Sequence, residues 1–384
     1  MSMRILHLCL GNAFVDNYSY QENLLTKYHV KMGNDVTVIA SLFTFGENGR
    51  GVMLPAPSEY VDVNGVHVIR LAFKKSLKWY RFFRRYAGLK ETIDRVHPDI
   101  IFSHNLSYAD TTLVADYVKR HPQVKVFADN HADYINSAKN WASKHILHPI
   151  IWRHYAKVLE PYLTRCFGVT PMRCRFLKEM YHIKPELVEF LPMGVDDEAI
   201  PLNRRLVRED IRKQLGVPEN DILVFTGGKI DKLKNIHLLI EAINELGNDH
   251  LHLVICGVLT PEMRYLEETI AANDKIHYLG WCNAERVMNC MVASDFACFP
   301  GTHSTLWEQS VGVGLPAIFK RWSEMEHVDI NGNCVFVNRD DVSELKKCIS
   351  LMQDRDFYAE ILGKATIAAS SFRYSQIAAH AIGS

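Results

Sequence analysis

The stretch from Ile222 to Ile243 constrains this chain more than any other. Ile222-Leu-Val-Phe-Thr226 is a short apolar run with β-branched and aromatic members, the composition of a buried strand. It runs into Gly227-Gly228, and beyond Asn235 the apolar residues Ile236, Leu239, Ile240 and Ile243 recur at helical spacing. Lys229 and Lys234 lie between strand and helix. Backbone N–H groups at such a turn, with two ammonium groups beside them, suit a phosphate. The Gly-x4-Gly-Lys-Ser/Thr spacing of a Walker loop is absent. Surface lysines near helix starts are also common, so the spacing alone leaves both readings open.

Strand and helix alternate along the whole chain. Arg4-Ile-Leu-His-Leu-Cys9, a helix near 20–32, Gly33 as its cap and Asp35-Val-Thr-Val-Ile-Ala40 form a βαβ opening. Strands at 100–103 and 124–127 continue it, and Val61–Val68 reads as a hairpin turning at Asn64-Gly65. The second half repeats the pattern at 222–226, 251–256, 276–279 and 296–299. A chain of 384 residues, 48% hydrophobic and 23% charged, has room for two such domains. Two doubly wound domains predict a cleft at strand C-termini, the usual ligand position. No secretory signal is read at the start, and no apolar run approaches the ~20 residues of a membrane span. Nine cysteines without a Cys-x2-Cys pair predict reduced thiols in a cytosolic compartment, and no metal. Net charge is zero, but residues 1–196 carry 25 Lys/Arg against 18 Asp/Glu, so the first half suits an anionic partner.

Several motifs in one order resemble the retaining glycosyltransferases of family 4, on the two-domain GT-B fold. Val169-Thr-Pro-Met and Phe190-Leu-Pro-Met-Gly-Val-Asp196 resemble the end of the family's first domain. Gly228-Lys229 with Lys234-Asn235 is similar to its donor-phosphate motif, with lysine for the usual arginine. Tyr278-Leu-Gly-Trp281 resembles the segment bordering the nucleobase, and Phe372-Arg-Tyr-Ser the start of the last helix. Leu306-Trp-Glu308-Gln and Gly312-Val-Gly-Leu-Pro316 resemble the end of the Glu-x7-Glu motif. The first glutamate of that motif is replaced by Pro300, with Gly301-Thr-His-Ser-Thr305 as the loop. The first-loop glycine pair is also missing, where Asn12–Ser19 stand, and the crossing helix at the end is short.

The resemblance implies domains at 1–200 and 201–370, with 371–384 crossing back to the first. It implies sugar transfer from a UDP- or GDP-sugar to a glycan or lipid-linked acceptor, with no cofactor and no metal. Lys229 and Lys234 would stabilise the departing diphosphate. Glu308 would accept the ribose diol; the alternative is a carboxylate favoured by its helix N-terminus. His131 would lie beside the donor sugar. Gly228, Trp281, His303, Ser304 and Thr305 complete the donor side, and Asn12, Tyr18, Gln21 and His104 the acceptor side. Asp354-Arg-Asp356 resembles a metal-binding Asp-x-Asp, but joins two amphipathic helices and reads as a solvated connection.

Residues 73–90 hold seven cations, six aromatics and no acid. Two readings stay open: a helix with aromatics packed inward, or a patch for an anionic membrane surface. No nucleic-acid motif accompanies it. The resemblance implies a cytoplasmic enzyme of bacterial surface polysaccharide synthesis, peripheral on the membrane if the second reading of the stretch holds. The rival from another class is a protein of this fold that binds without transfer, suggested by the lost glutamate. A NAD-dependent dehydrogenase fails for want of Gly-x-Gly-x2-Gly after either opening strand.

Overall fold

The computed structural model describes residues 2–46, 50–74 and 82–383. The chain forms two compact units, Met1–Pro192 with Ile377–Ser384, and Met193–Gln376. Residues 193–200 go with the second unit because Val195 bridges Arg373: Val195 N–H donates to the Phe372 carbonyl at 2.8 Å, and Tyr374 N–H to that of Val195 at 3.1 Å.

The first unit is built on strands β1 (Arg4–Cys9), β2 (Asp35–Ser41), the small pair β3 (Phe43–Phe45) and β4 (Gly51–Met53), β5 (Ser58–Val61), β6 (His67–Leu71), β7 (Ile100–His104), β8 (Lys125–Asn130), β9 (Leu163–Gly168) and β10 (Val188–Phe190). Eight of them make one sheet in the order β10-β9-β8-β7-β1-β2-β6-β5. Pairing is parallel except between β5 and β6. Ile5, Leu6, Leu8, Ile101 and Phe102 have no exposed surface, as a parallel sheet covered on both faces requires. The β5–β6 turn is held by Asp62, whose carboxylate accepts from Asn64 N–H and Val66 N–H at 2.8 and 2.9 Å. Gly65 there has φ +82°, which a side chain would oppose. Helix α1 (Gln21–Lys31) follows β1 and stops at Gly33, φ +83°.

The second unit has six parallel strands: β11 (Ile222–Ile230), β12 (Leu251–Leu259), β13 (Ile276–Tyr278), β14 (Phe296–Phe299), β15 (Ala317–Lys320) and β16 (Cys334–Val337). Their order is β13-β12-β11-β14-β15-β16. Helix α2 (Ile236–Leu246) buries Ile236, Leu239, Ile240 and Ile243 on the sheet, the four positions with helical spacing in the sequence. Truncating one such Leu or Ile to Ala typically costs about 2–5 kcal/mol. β11 runs on through Gly227, Gly228 and Lys229, so the expected glycine turn is the end of a strand. It lies so close to β12 that a Cβ on Gly257 would sit 1.9 Å from the Gly228 carbonyl oxygen. Helix α3 (Leu306–Val313) follows β14, and helix α4 (Tyr374–Ala381) closes the chain.

In each sheet the chain order reverses once at the centre, between β1 and β7 and between β11 and β14. Loops leaving two adjacent strands in opposite directions open a crevice there, at the strand C-termini.

Candidate active site

In the second unit, the loop after β14 is stitched to the turn after β11. Thr302 N–H donates to the Leu233 carbonyl at 3.0 Å, and Asn235 Nδ2 to that of Pro300 at 3.2 Å. Lys234 Nζ donates to the carbonyls of Thr302 and His303 at 2.7 and 2.9 Å. Gly301 permits this approach: a Cβ there would fall 2.3 Å from the Leu233 oxygen. The loop and the turn pack closely around Thr226, Gly227, Lys234 and Gly301–Thr302, leaving a crevice too tight for a water molecule. Burial lowers the Lys234 pKa to about 8. Thr226 Oγ1, buried in the same crevice, has no hydrogen-bond partner among the described residues. Nothing in the sequence marks Thr226, a β-branched residue inside a strand. Lys229 is exposed at the end of β11, and Gly228 (φ +106°) precedes it.

Glu308 lies in the first turn of α3 with no exposed surface. His303 Nε2 donates to its Oε1 at 2.7 Å, and His327 Nε2 donates to the same oxygen at 2.8 Å. Burial disfavours the charge, yet the two imidazoles outweigh it and hold the carboxyl well below the usual range. Its second oxygen, Oε2, has no hydrogen-bond partner among the described residues. A buried carboxylate oxygen left so is costly and calls for a donor from outside the chain. His327 was not foreseen; it stands 19 residues after Glu308 in a short turn, Glu326–Val328, with no motif around it. Among the described residues, His303, Glu308 and His327 are the one group with the donor types and spacing for a metal ion, their ligand atoms within 4.8 Å of one another. Ser304 is half-buried and Thr305 exposed at the start of α3; Trp281, after β13, is 75% exposed. Asp354 caps the helix Arg355–Ala368, accepting from Phe357 N–H at 2.9 Å.

In the first unit, His131 follows β8 and keeps part of its surface exposed. Its Nε2 lies 3.5 Å from Asp129 Oδ2. Its N–H donates to Asn105 Oδ1 at 3.1 Å, and Asn105 N–H donates to Asp129 Oδ1 at 3.0 Å. His104, expected on the acceptor side, is buried with both ring nitrogens in hydrogen bonds, to His7 and to Asp129, and offers none to a ligand. Asn12 and Tyr18 are exposed. Gln21 is buried at the start of α1, and neither amide atom has a partner among the described residues. A cavity of about 190 Å³ opens beside Asn12, lined also by Ser41, Phe43, Arg84 and Tyr86.

Of the basic aromatic stretch 73–90, residues 75–81 lie outside the described residues. Phe73 bridges Tyr86, and Arg84 Nη1 donates to the carbonyls of Gly11 and Ser107. Arg85 is 3.6 Å from the buried Asp110. Those two arginines therefore serve the protein's own packing. No helix among the described residues is long and apolar enough to cross a membrane.

A family model described as Glycosyltransferase Family 4 matches residues 24–199, and one described as Glycosyl transferases group 1 matches residues 207–318. No curated protein matches. Among solved structures, HepE of Anabaena with UDP and glucose is 16% identical, with TM-score 0.67 over 99% of this chain and 98% of that one. Sucrose-phosphate synthase from Thermosynechococcus elongatus is 15% identical, with TM-score 0.64 over 99% and 97%. A glycosyltransferase from Rickettsia africae is 14% identical, with TM-score 0.69 over 100% and 97%. At such identities these likenesses speak for the fold, two Rossmann-like α/β domains of GT-B type. The chain belongs to the family 4 glycosyltransferases of group 1.

Proposed function

We propose that this glycosyltransferase is a retaining hexosyltransferase acting on a UDP- or GDP-sugar, with the donor held by the second unit. The observation that carries the reading is Glu308: a buried, charged carboxylate with one oxygen unpaired among the described residues, near a loop tied to Lys234 at the crevice between β11 and β14. An open carboxylate oxygen is a strong acceptor for a ribose hydroxyl. An ammonium with a hydrogen to spare, beside Thr226, suits a phosphate. HepE, crystallised with UDP-glucose, lends the donor class.

On this reading Lys234, with Lys229, stabilises the negative charge that grows on the departing β-phosphate. His131 orients a hydroxyl of the transferred sugar and stabilises positive charge at its anomeric carbon. The acceptor, a glycan or lipid-linked sugar, meets the first unit near Asn12, Tyr18 and Gln21 and attacks on the face the diphosphate leaves. No metal or cofactor takes part, and His303 and His327 act as donors to Glu308. The setting is bacterial surface polysaccharide synthesis on the cytoplasmic side, the enzyme held at the membrane by Lys74, Lys75, Lys78 and Arg81.

The test is a panel of UDP-, GDP- and ADP-sugars with purified protein, following thermal shift and then donor turnover. Turnover with retained anomeric configuration, unchanged by EDTA, is expected. Loss of turnover with EDTA would make His303, Glu308 and His327 metal ligands. Nucleotide binding without turnover under any condition would favour the rival, a binding protein of this fold. Co-sedimentation with anionic vesicles, lost on changing Lys74, Lys75, Lys78 and Arg81 to Gln, tests the membrane role.

A further inference from the structure

The first unit buries a line of three imidazoles that the transfer chemistry does not use. His29 Nε2 is 2.9 Å from the Ala378 carbonyl oxygen, and His29 Nδ1 is 3.0 Å from His7 Nε2. His7 Nδ1 is 3.0 Å from His104 Nε2, and His104 Nδ1 is 2.7 Å from Asp129 Oδ2. Exposure is 0% for His7 and His29 and 4% for His104, so no water serves them from the surface.

Proton counting settles the direction of three of the four bonds, and electrostatics the fourth. A carbonyl only accepts, so His29 carries its proton on Nε2. As a neutral ring it then accepts at Nδ1, so His7 also carries its proton on Nε2. By the same step His104 must donate from Nε2 to His7. The chain contains four hydrogen bonds, and three neutral rings supply three protons. Both ends, a carbonyl and a carboxylate, are acceptors, so a fourth proton is required at the join between His104 and Asp129. The electrostatics agree. Burial pushes His7 well down and His29 to about 4, so those rings stay neutral. At His104 burial opposes the charge too, but Asp129 overcomes it, with Glu22 of α1 adding in the same sense, and its pKa is raised.

We propose that His7, His29 and His104 form a proton-locked chain that makes His104 a permanent imidazolium and fixes the Asp129 carboxylate, so that the three are positioning residues for His131. Asp129 reaches residue 131 twice, directly at its ring and through Asn105 at its N–H. The anchor at the far end is Ala378 in α4, the closing helix. Replacing His29 with a group that cannot bond shortens the chain to two rings, which two protons satisfy. His104 then becomes neutral, and Asp129 is left a buried anion without its counter-charge. The catalytic consequence rests on the reading of His131 beside the transferred sugar; the proton count does not.

The experiment is nitrogen NMR of the full-length protein labelled at histidine, with His29→Leu and His29→Gln beside it. Glutamine keeps one donor and one acceptor, leucine neither. The wild type should show both His104 nitrogens protonated across about pH 6–8, and His7 and His29 protonated at Nε2 alone. His29→Leu should neutralise His104, shift the His131 Nε2 resonance and lower kcat by about tenfold or more with donor KM little changed, as displacement of a catalytic group does. His29→Gln should restore all three. A neutral His104 in the wild type overturns the chain. An unmoved His131 resonance in a folded His29→Leu overturns the positioning role, whether or not the protein transfers sugar. Equal losses in the leucine and glutamine variants would reduce the chain to packing.

Discussion

Each unit holds a carboxylate with no exposed surface between two histidines, Asp129 in the first and Glu308 in the second, and the two are finished differently. Asp129 meets His104 and His131 at one oxygen and Asn105 N–H at the other, so its acceptor sites are engaged from within. Glu308 meets His303 and His327 at one oxygen and leaves the other without a partner among the described residues. The first carboxylate sits at the end of a chain whose proton count demands a fourth proton at its join with His104. The second accepts from two rings that can each donate while neutral. The first carboxylate is satisfied from within; the second keeps an acceptor site unpaired, which on the proposed reading the ribose would fill. Burial alone separates neither, since both side chains are fully inside.

That contrast breaks most easily through stability. Asp129→Asn should lower unfolding free energy by about 3–5 kcal/mol, because it strands the His104 charge in the core. Chemical denaturation of this variant beside Glu308→Gln measures it. An equal loss in the two would erase the distinction.

The open site should respond in catalysis instead. Lys234→Ala should lower kcat/KM by ~10²-fold or more, the usual effect of removing a charge partner from a transition state. Steady-state rates near wild type would remove the diphosphate assignment. Glu308→Gln should weaken free-nucleotide binding by about 1–3 kcal/mol with the fold kept. Unchanged affinity by calorimetry would mean that the vacant oxygen faces no ribose.

The smallest effect lies in the pH dependence of folding. His29 is held near a pKa of about 4 by burial, against roughly 6.5 in an unfolded chain. Between those values the unfolded state binds more protons, so the contribution of this group falls as pH drops from about 6.5 to about 4. Each pKa unit corresponds to about 1.4 kcal/mol. His104 works in the opposite sense. Its raised pKa gives stability that is full below about 6.5 and fades as pH climbs through the folded value. Thermal melts should therefore show a shallower acid decline for His29→Gln than for the wild type. Parallel curves would place the charging event on other residues.

Much of the architecture was readable because its signals are local. Apolar strand runs, the Asn64-Gly65 turn and the spacing of Ile236, Leu239, Ile240 and Ile243 each lie within one element. The ten-residue π-helical stretch Ser143–Trp152, with Pro149 inside it, has no such signature and was not foreseen. At the sites, Lys234 was marked by the strand–turn–helix pattern, Glu308 and His303 by the family resemblance, and the structure brings the three into one cluster. Their partner His327, and the links from His104 to His7 and His29, span tens of residues and depend on sheet order. No spacing rule in a single sequence encodes that His7 on β1 will lie beside His104 on β7. The placement of His104 after a central strand was legible, while its engagement at both nitrogens was not.

The half-buried ammonium of Lys234 has a calorimetric consequence. With a pKa of about 8, an appreciable part of the empty protein carries a neutral amine near that pH. On the proposed reading a diphosphate beside Lys234 favours the charged form, so nucleotide binding should draw a proton from solution. The heat of nucleotide binding above neutrality should then vary with the ionisation enthalpy of the buffer. The slope of that dependence counts the protons taken up.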